Sequence, residues 1–167
     1  MKDEAKNRLK QILAAYDEKL AETERVAAAI RAAKAAFPER FAALKKDIIL
    51  PVLRDLAEVL KASGHDAKAT EQDESSTTAG GVTSAAVSLH IVPKPYTEST
   101  TDTKKSFIEV TFSANRSDRK IVVSSTTTII NSGGSVGKRG EYDVEAMNAD
   151  VVADHVLQAL EKAFIGG

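Results

Sequence analysis

Residues 107–131 decide the fold of the sheet, and they read FIEVTFSANRSDRKIVVSSTTTIIN. The apolar members of the first half alternate with other residues, as in a half-buried strand: Ile108, Val110, Phe112 and Ala114. Residues 115–118 are turn formers, and residues 119–131 are β-branched along most of their length. Because a turn of four residues is too short to join parallel strands, this stretch predicts an antiparallel pair.

The same pattern continues on both sides of this pair. Residues 82–92 alternate and predict a first strand, while residues 141–144 predict a short fourth strand after a reversal at 132–135. Asn148 or Asp150 is expected to cap a terminal helix. The apolar residues on one side of that helix suit it to cover the sheet: Val151, Val152, Val156, Leu160 and Phe164. The prediction is an α+β fold with a four-stranded antiparallel meander under a C-terminal helix.

The first third of the chain predicts helices. Residues 3–36 contain no Pro or Gly and are rich in strong helix formers, so they predict one long helix. Pro38 suits the first turn of a second helix. Pro51 should either kink that helix or restart it after Leu50, and Gly64 should cap it. The two helices could form an antiparallel hairpin or one bent arm. The resulting domain prediction is a helical arm over 1–63, a polar linker or loop over 64–81 with room for a weak edge strand, and a sheet domain over 82–167.

An apolar stripe runs along the predicted arm. Its residues recur in steps of three and four, in two overlapping registers, so the stripe is wider than a strict two-stranded coiled-coil seam. A helix this long cannot bury such a stripe on itself. We therefore expect an oligomerisation arm, the alternative being a helix that folds back on its own domain. The residues expected to carry self-association are Leu9, Leu13, Tyr16, Leu20, Val26, Ile30 and Phe37.

Composition narrows the classes of partner and compartment. The formal net charge is −1, so no global field favours nucleic acid or an anionic membrane, although Lys45, Lys46 and Arg54 leave a nucleic-acid alternative. There are no cysteines, which excludes disulfides and thiolate metal sites. No run approaches the ~20 apolar residues of a membrane helix. A cytoplasmic homo-oligomer, a dimer or higher, is the expectation, with a protein partner as a further possibility.

The glycine-rich segment 131–140 holds the only motifs with a chemical reading. Residues 133–137 match the G-x-S-x-G nucleophile elbow around Ser135, but no helix follows, as that motif requires. The P-loop pattern fails because Arg139 stands where Ser or Thr is needed. A looser anion site of loop amides with Ser135, Lys138 and Arg139 remains open.

The three histidines are dispersed and lack metal-binding spacing, so no metal, cofactor or catalytic residue is predicted. The expected function is accordingly a non-enzymatic homo-oligomeric interaction or scaffolding protein, in which the arm self-associates and the sheet domain presents a binding face. The alternative is a small-ligand or anion-binding domain, or an enzyme, that uses the loop at 131–140. The threonine-rich loop at 96–104 would assist it.

Overall fold

The computed structural model describes residues 2–76, 78–94, 106–129 and 133–166. The chain divides into two compact units, residues 1–37 and 38–167. Helix α1 (Lys2–Leu44) forms the first unit and continues into the second. The predicted loop at 96–104 lies outside the described residues.

Helix α1 does not end at Pro38, so the prediction of a second helix starting there is wrong, and there is no hairpin at that point. Proline inside a helix removes one backbone hydrogen bond and costs about 3 kcal/mol. The carbonyl that loses its partner belongs to Lys34, which is exposed, so water can satisfy it. Phe37 and Phe41 on either side are buried, and their burial offsets the cost.

The predicted disturbance at Pro51 takes the form of a wide π-helical turn, Lys45–Ile49, which leads into α2 (Leu50–Ala62). The amide of Leu50 donates to the carbonyl of Lys45, five residues back. Pro51 thus falls in the first turn of α2, where its missing N–H is tolerated. Gly64 follows with a positive φ of 91°, and the His65 amide donates to the Leu60 carbonyl, so the predicted C-terminal cap is confirmed.

The sheet has five strands in the described residues rather than the predicted four, and it is antiparallel throughout, as expected. Its spatial order is β1-β4-β5-β6-β7, and a separate two-stranded pair joins β2 to β3. The strands are β1 (Asp66–Gln72), β2 (Ser75–Ser76), β3 (Val82–Thr83), β4 (Ala86–Val92), β5 (Phe107–Asn115), β6 (Lys120–Ile129) and β7 (Gly133–Tyr142). The extra strand, β1, is an edge strand within the predicted linker.

Residues 64–81 therefore belong to the second unit and do not separate two domains. The π-helical turn is tied to this segment through Lys45, which is buried. Its Nζ lies 2.7 Å from Asp73 Oδ1 and 3.7 Å from Glu71 Oε2. The hydrogen bond and charge of Lys45 lower the pKa of Asp73. Burial also removes Lys45 from any nucleic-acid surface.

The core lies on one face of the sheet, under two helices. Its residues alternate along the three central strands with almost no exposure: Val87, Leu89, Ile91, Ile108, Val110, Phe112, Ile121 and Val123. Helix α3 (Ala149–Phe164) packs on β5 and β6, as predicted, and Asn148 caps it by accepting from the Val151 amide at 3.0 Å. Helix α2 packs on β1 and β4 and shares the cover, which the sequence reading assigned to α3 alone.

The glycine-rich segment is a strand, so its prediction as a loop is wrong over 133–140. Close packing requires glycine at Gly134 and favours it at Gly140, whereas a Cβ at Gly137 would meet open space. A Cβ at Gly134 would lie 2.8 Å from the Thr127 carbonyl oxygen, and one at Gly140 would lie 2.9 Å from the Tyr142 ring. These residues disfavour strands in general, but here contacts on the sheet select them.

Candidate functional site

The apolar stripe of α1 is uncovered. Within the stripe and its flanks the large apolar side chains before Phe37 are between 42% and 61% exposed: Leu9, Ile12, Leu13, Tyr16, Leu20, Val26 and Ile30. Phe37, which the sequence grouped with them, is only 3% exposed and is therefore not accessible to a second chain. Long helices gain most of their stability when an apolar face packs against another element. The large apolar side chains of this face remain exposed over residues 2–36.

A second feature is a cavity between the inner face of the sheet and α3. Its volume is about 120 Å³. The side chains that line it are mostly polar or charged and include Ser125, Thr127, Arg139, His155, Gln158 and Lys162. Thr127 and Lys162 also line a more open cleft of about 410 Å³, whose other walls include Ile129 and Phe164. The cavity and cleft lie wholly within the second unit.

Arg139 lines this cavity and lies at an irregularity in the sheet. Val123 pairs with Gly140 and Ser124 pairs with Lys138, which leaves Arg139 without a partner in the ladder, as in a β-bulge. Alternation along β7 from Ser135 and Gly137 places the Arg139 side chain on the inner face. There its Nε donates to Ser125 Oγ at 2.6 Å, and Nη2 donates to Ser135 Oγ at 3.1 Å.

Of the three residues predicted for an anion site, the structure thus brings Ser135 and Arg139 together but not Lys138. Lys138 pairs with Ser124 on the other face, and its Nζ lies 2.5 Å from Glu141 Oε1. Lys162 lines the cavity instead. A signal for it exists in the sequence, since Lys162 follows His155 by seven residues and so lies on the same face of the helix.

His155 lines the cavity and contacts two aromatic rings. Its Nε2 lies 2.6 Å from the hydroxyl of Tyr142, and Phe112 and Tyr142 both meet its ring edge-on. Burial lowers the pKa of His155, and the charge of Asp154 acts weakly in the opposite direction. The pKa of His65 is lowered too, by burial and by Lys94. Both rings are therefore neutral near pH 7.

These histidines predict how stability depends on pH. Because each pKa is lower in the folded chain than the ordinary 6.5, protons bind more readily to the unfolded chain as the pH falls below 6.5. We expect the free energy of unfolding to decrease between pH 7 and pH 5. Carboxylates with lowered pKa, such as Asp73, add their effect at lower pH.

Chemical denaturation at several pH values measures this dependence. His155→Gln, which retains a polar partner for Tyr142, should flatten the slope between pH 7 and pH 5. His65→Gln should flatten it independently. If both variants keep the slope of the parent chain, the two histidines are not the cause of the pH dependence.

The other motifs do not form catalytic or metal sites in the described parts of the chain. Ser135 lies on strand β7 and no helix follows it, so the nucleophile elbow is not formed. His90 lies 3.2 Å from Glu109 on the outer face, and His65 stacks on Phe164 at 5.1 Å. Among the described residues no three His, Asp or Glu side chains converge as metal ligands do. Nor does any helix of the described chain have the length and apolarity to cross a bilayer.

Comparison with known proteins gives no family and no relative. No protein-family model matches the chain, and neither the curated proteins nor the solved structures compared with it show significant similarity. The geometry of these two features is therefore the basis for assigning a function.

Proposed function

We propose that this protein is a homo-oligomeric interaction protein whose α1 helices pair with one another, as a dimer or a higher bundle. The observation that carries the proposal is the uncovered apolar stripe from Leu9 to Ile30. The sheet domain would then present a binding face to a protein partner. A cytoplasmic location is part of the same proposal, supported by the absence of cysteines.

The spacing of the stripe suits pairing with an identical helix. Its positions repeat in alternating steps of four and three, as the core positions of a coiled coil do: Leu9, Leu13, Tyr16, Leu20, Thr23, Ala27 and Ile30. The 22 positions from residue 9 to residue 30 span roughly 33 Å of helix. Ile12 and Val26 widen the apolar surface beside these positions, which favours packing of more than two helices.

The charges beside the stripe favour a parallel, in-register arrangement. In that arrangement Lys19 of one helix meets Glu24 of the other, five positions further on, and the contact occurs twice in a dimer. In the antiparallel register in which Leu20 faces Thr23, Asp17 would face Glu24 and Lys10 would face Arg31. Those like charges would repel each other. Lys34, at the next core position, should limit the pairing beyond Ile30.

Sedimentation equilibrium tests the association itself. The full chain should sediment as a dimer or larger species at tens of micromolar, and removal of residues 2–36 should give a monomer. A full chain that is monomeric under these conditions would remove the basis for the proposal.

A single cysteine tests the orientation, because the chain has none of its own. Thr23→Cys places a thiol at a core position, where it would face its own copy in a parallel in-register pair. Mild oxidation should therefore crosslink most of the protein. Arg25→Cys, which lies on the opposite side of the helix, is the matched control and should crosslink little. Equal crosslinking of the two variants would contradict the parallel arrangement.

A further inference from the structure

The cavity between β7 and α3 is positively charged. Arg139 and Lys162 both line it, and none of its lining residues is Asp or Glu. Within the described residues neither cation has a carboxylate within ion-pair distance. Neighbouring cations on the same sheet are neutralised, Lys138 by Glu141 and Lys120 by Asp143. The two unneutralised cations therefore share the lining of this cavity, and both side chains are also exposed to solvent.

The guanidinium group of Arg139 is held in place before any ligand arrives. The hydroxyl groups of Ser125 and Ser135 accept hydrogen bonds from two of its five N–H groups, and these bonds fix the plane of the guanidinium. Three N–H groups remain for a ligand, and a planar guanidinium binds the two oxygens of a carboxylate or phosphate side by side. A group fixed in this way loses little entropy on binding.

The surroundings supply further contacts for such a ligand. Thr127, at the junction with the larger cleft, offers a hydroxyl group beside Lys162. Beyond this junction the walls become apolar, with Ile129 and Phe164 exposed to the cleft. The last turn of α3 carries the negative end of the helix dipole, and Lys162 in that turn offsets it.

We propose that this cavity binds a small organic anion, whose carboxylate or phosphate lies between Arg139 and Lys162. The apolar part of the ligand occupies the adjoining cleft against Ile129 and Phe164. This site is independent of the association of α1, because it is built entirely from residues of the second unit.

Calorimetric titration of the full chain with phenyl phosphate, benzoate and inorganic phosphate tests the proposal. At least one of the two aromatic anions should bind saturably below roughly 10 mM, more tightly than inorganic phosphate. Comparison of the two shows whether the site prefers phosphate or carboxylate. The absence of saturable binding by both aromatic anions would overturn the proposal.

Three variants locate the binding. Arg139→Gln and Lys162→Gln should each lower the affinity for the aromatic anion by about tenfold or more, because each removes a charged hydrogen bond. Lys138→Gln makes the same change of charge one residue away on the opposite face, and it should leave affinity within about twofold. Lys162 lines the cavity from α3 and is itself exposed to solvent, so its variant stays informative even if Arg139→Gln disturbs the bulge. Equal losses in Lys138→Gln and Lys162→Gln would overturn the proposal.

Phe164→Ala tests the apolar part separately. It should weaken binding of the aromatic anion and leave inorganic phosphate unchanged, so that the preference between the two disappears. If that preference persists in the variant, the cleft does not hold the apolar part of the ligand.

Discussion

Replacement of both Leu13 and Leu20 by aspartate is expected to make this protein monomeric at tens of micromolar. Both leucines lie in the centre of the uncovered stripe of α1, and each is about half exposed in the single chain. Burial of a leucine in a helical interface contributes roughly 1.5–3 kcal/mol. The double substitution removes two leucines from each chain and brings like charges together at the seam. The dissociation constant of the oligomer should therefore rise by at least about a thousandfold.

The control for this change is a second pair of aspartates on the far side of the same helix. Gln11→Asp with Ala32→Asp adds the same two charged residues to α1, but at positions that face away from the stripe. Both double variants introduce two aspartates and so lose some helix propensity, and this effect is common to the two variants that are compared. Sedimentation should show oligomers for the control only. If both variants associate like the parent chain, the stripe is not the interface.

Truncation of Phe112 to alanine is expected to cost the second unit about 3–5 kcal/mol of stability, the range typical of a fully buried phenylalanine. Phe112 is inaccessible to solvent, pairs with Val87 and Val123 on the neighbouring strands, and meets the His155 ring edge-on. The cavity left behind cannot collapse readily because it lies between the sheet and α3. Urea denaturation measures the loss.

Phe107 on the same strand provides the comparison. It lies on the outer face, half-buried, with its ring stacked on His90 at 5.2 Å. Phe107→Ala should cost only about 1–2 kcal/mol, because less apolar area returns to water. The contrast tests the register of the sheet, since a slip by one residue would exchange the two faces. Equal losses would mean that the assigned faces are wrong.

The sequence predicted the fold class well because its periodicity is strong. Alternation in residues 82–92 and 107–131 predicted three central strands and their antiparallel pairing, all of which the structure confirms. The end of the second helix at Gly64 was also predicted from local capping chemistry, and Asn148 was one of two caps predicted for α3, the other being Asp150. These signals are local, so they can be recognised without knowledge of the tertiary contacts.

The misses have a common cause, which is that tertiary contacts override local preference. Pro38 signals a helix start, but burial of Phe37 and Phe41 keeps α1 continuous through it. The polar residues of β1 resemble a linker, yet hydrogen bonds to β4 make them an edge strand. Glycines in 133–140 signal a loop, yet close approach of Thr127 and Tyr142 selects Gly134 and Gly140 within β7.

The sequence by itself determined the three central strands, the helical character of the first third of the chain and the apolar stripe of α1, because these depend on the spacing of residues along one element. Only the tertiary structure decided which charged groups meet. It brought Arg139 to Ser125 and Ser135, and it brought Lys162 to the same cavity from a helix that follows β7. The register of paired strands and the packing of α3 depend on distant contacts, which no local pattern records. That dependence is why the cavity, unlike the stripe, could not be located from the sequence.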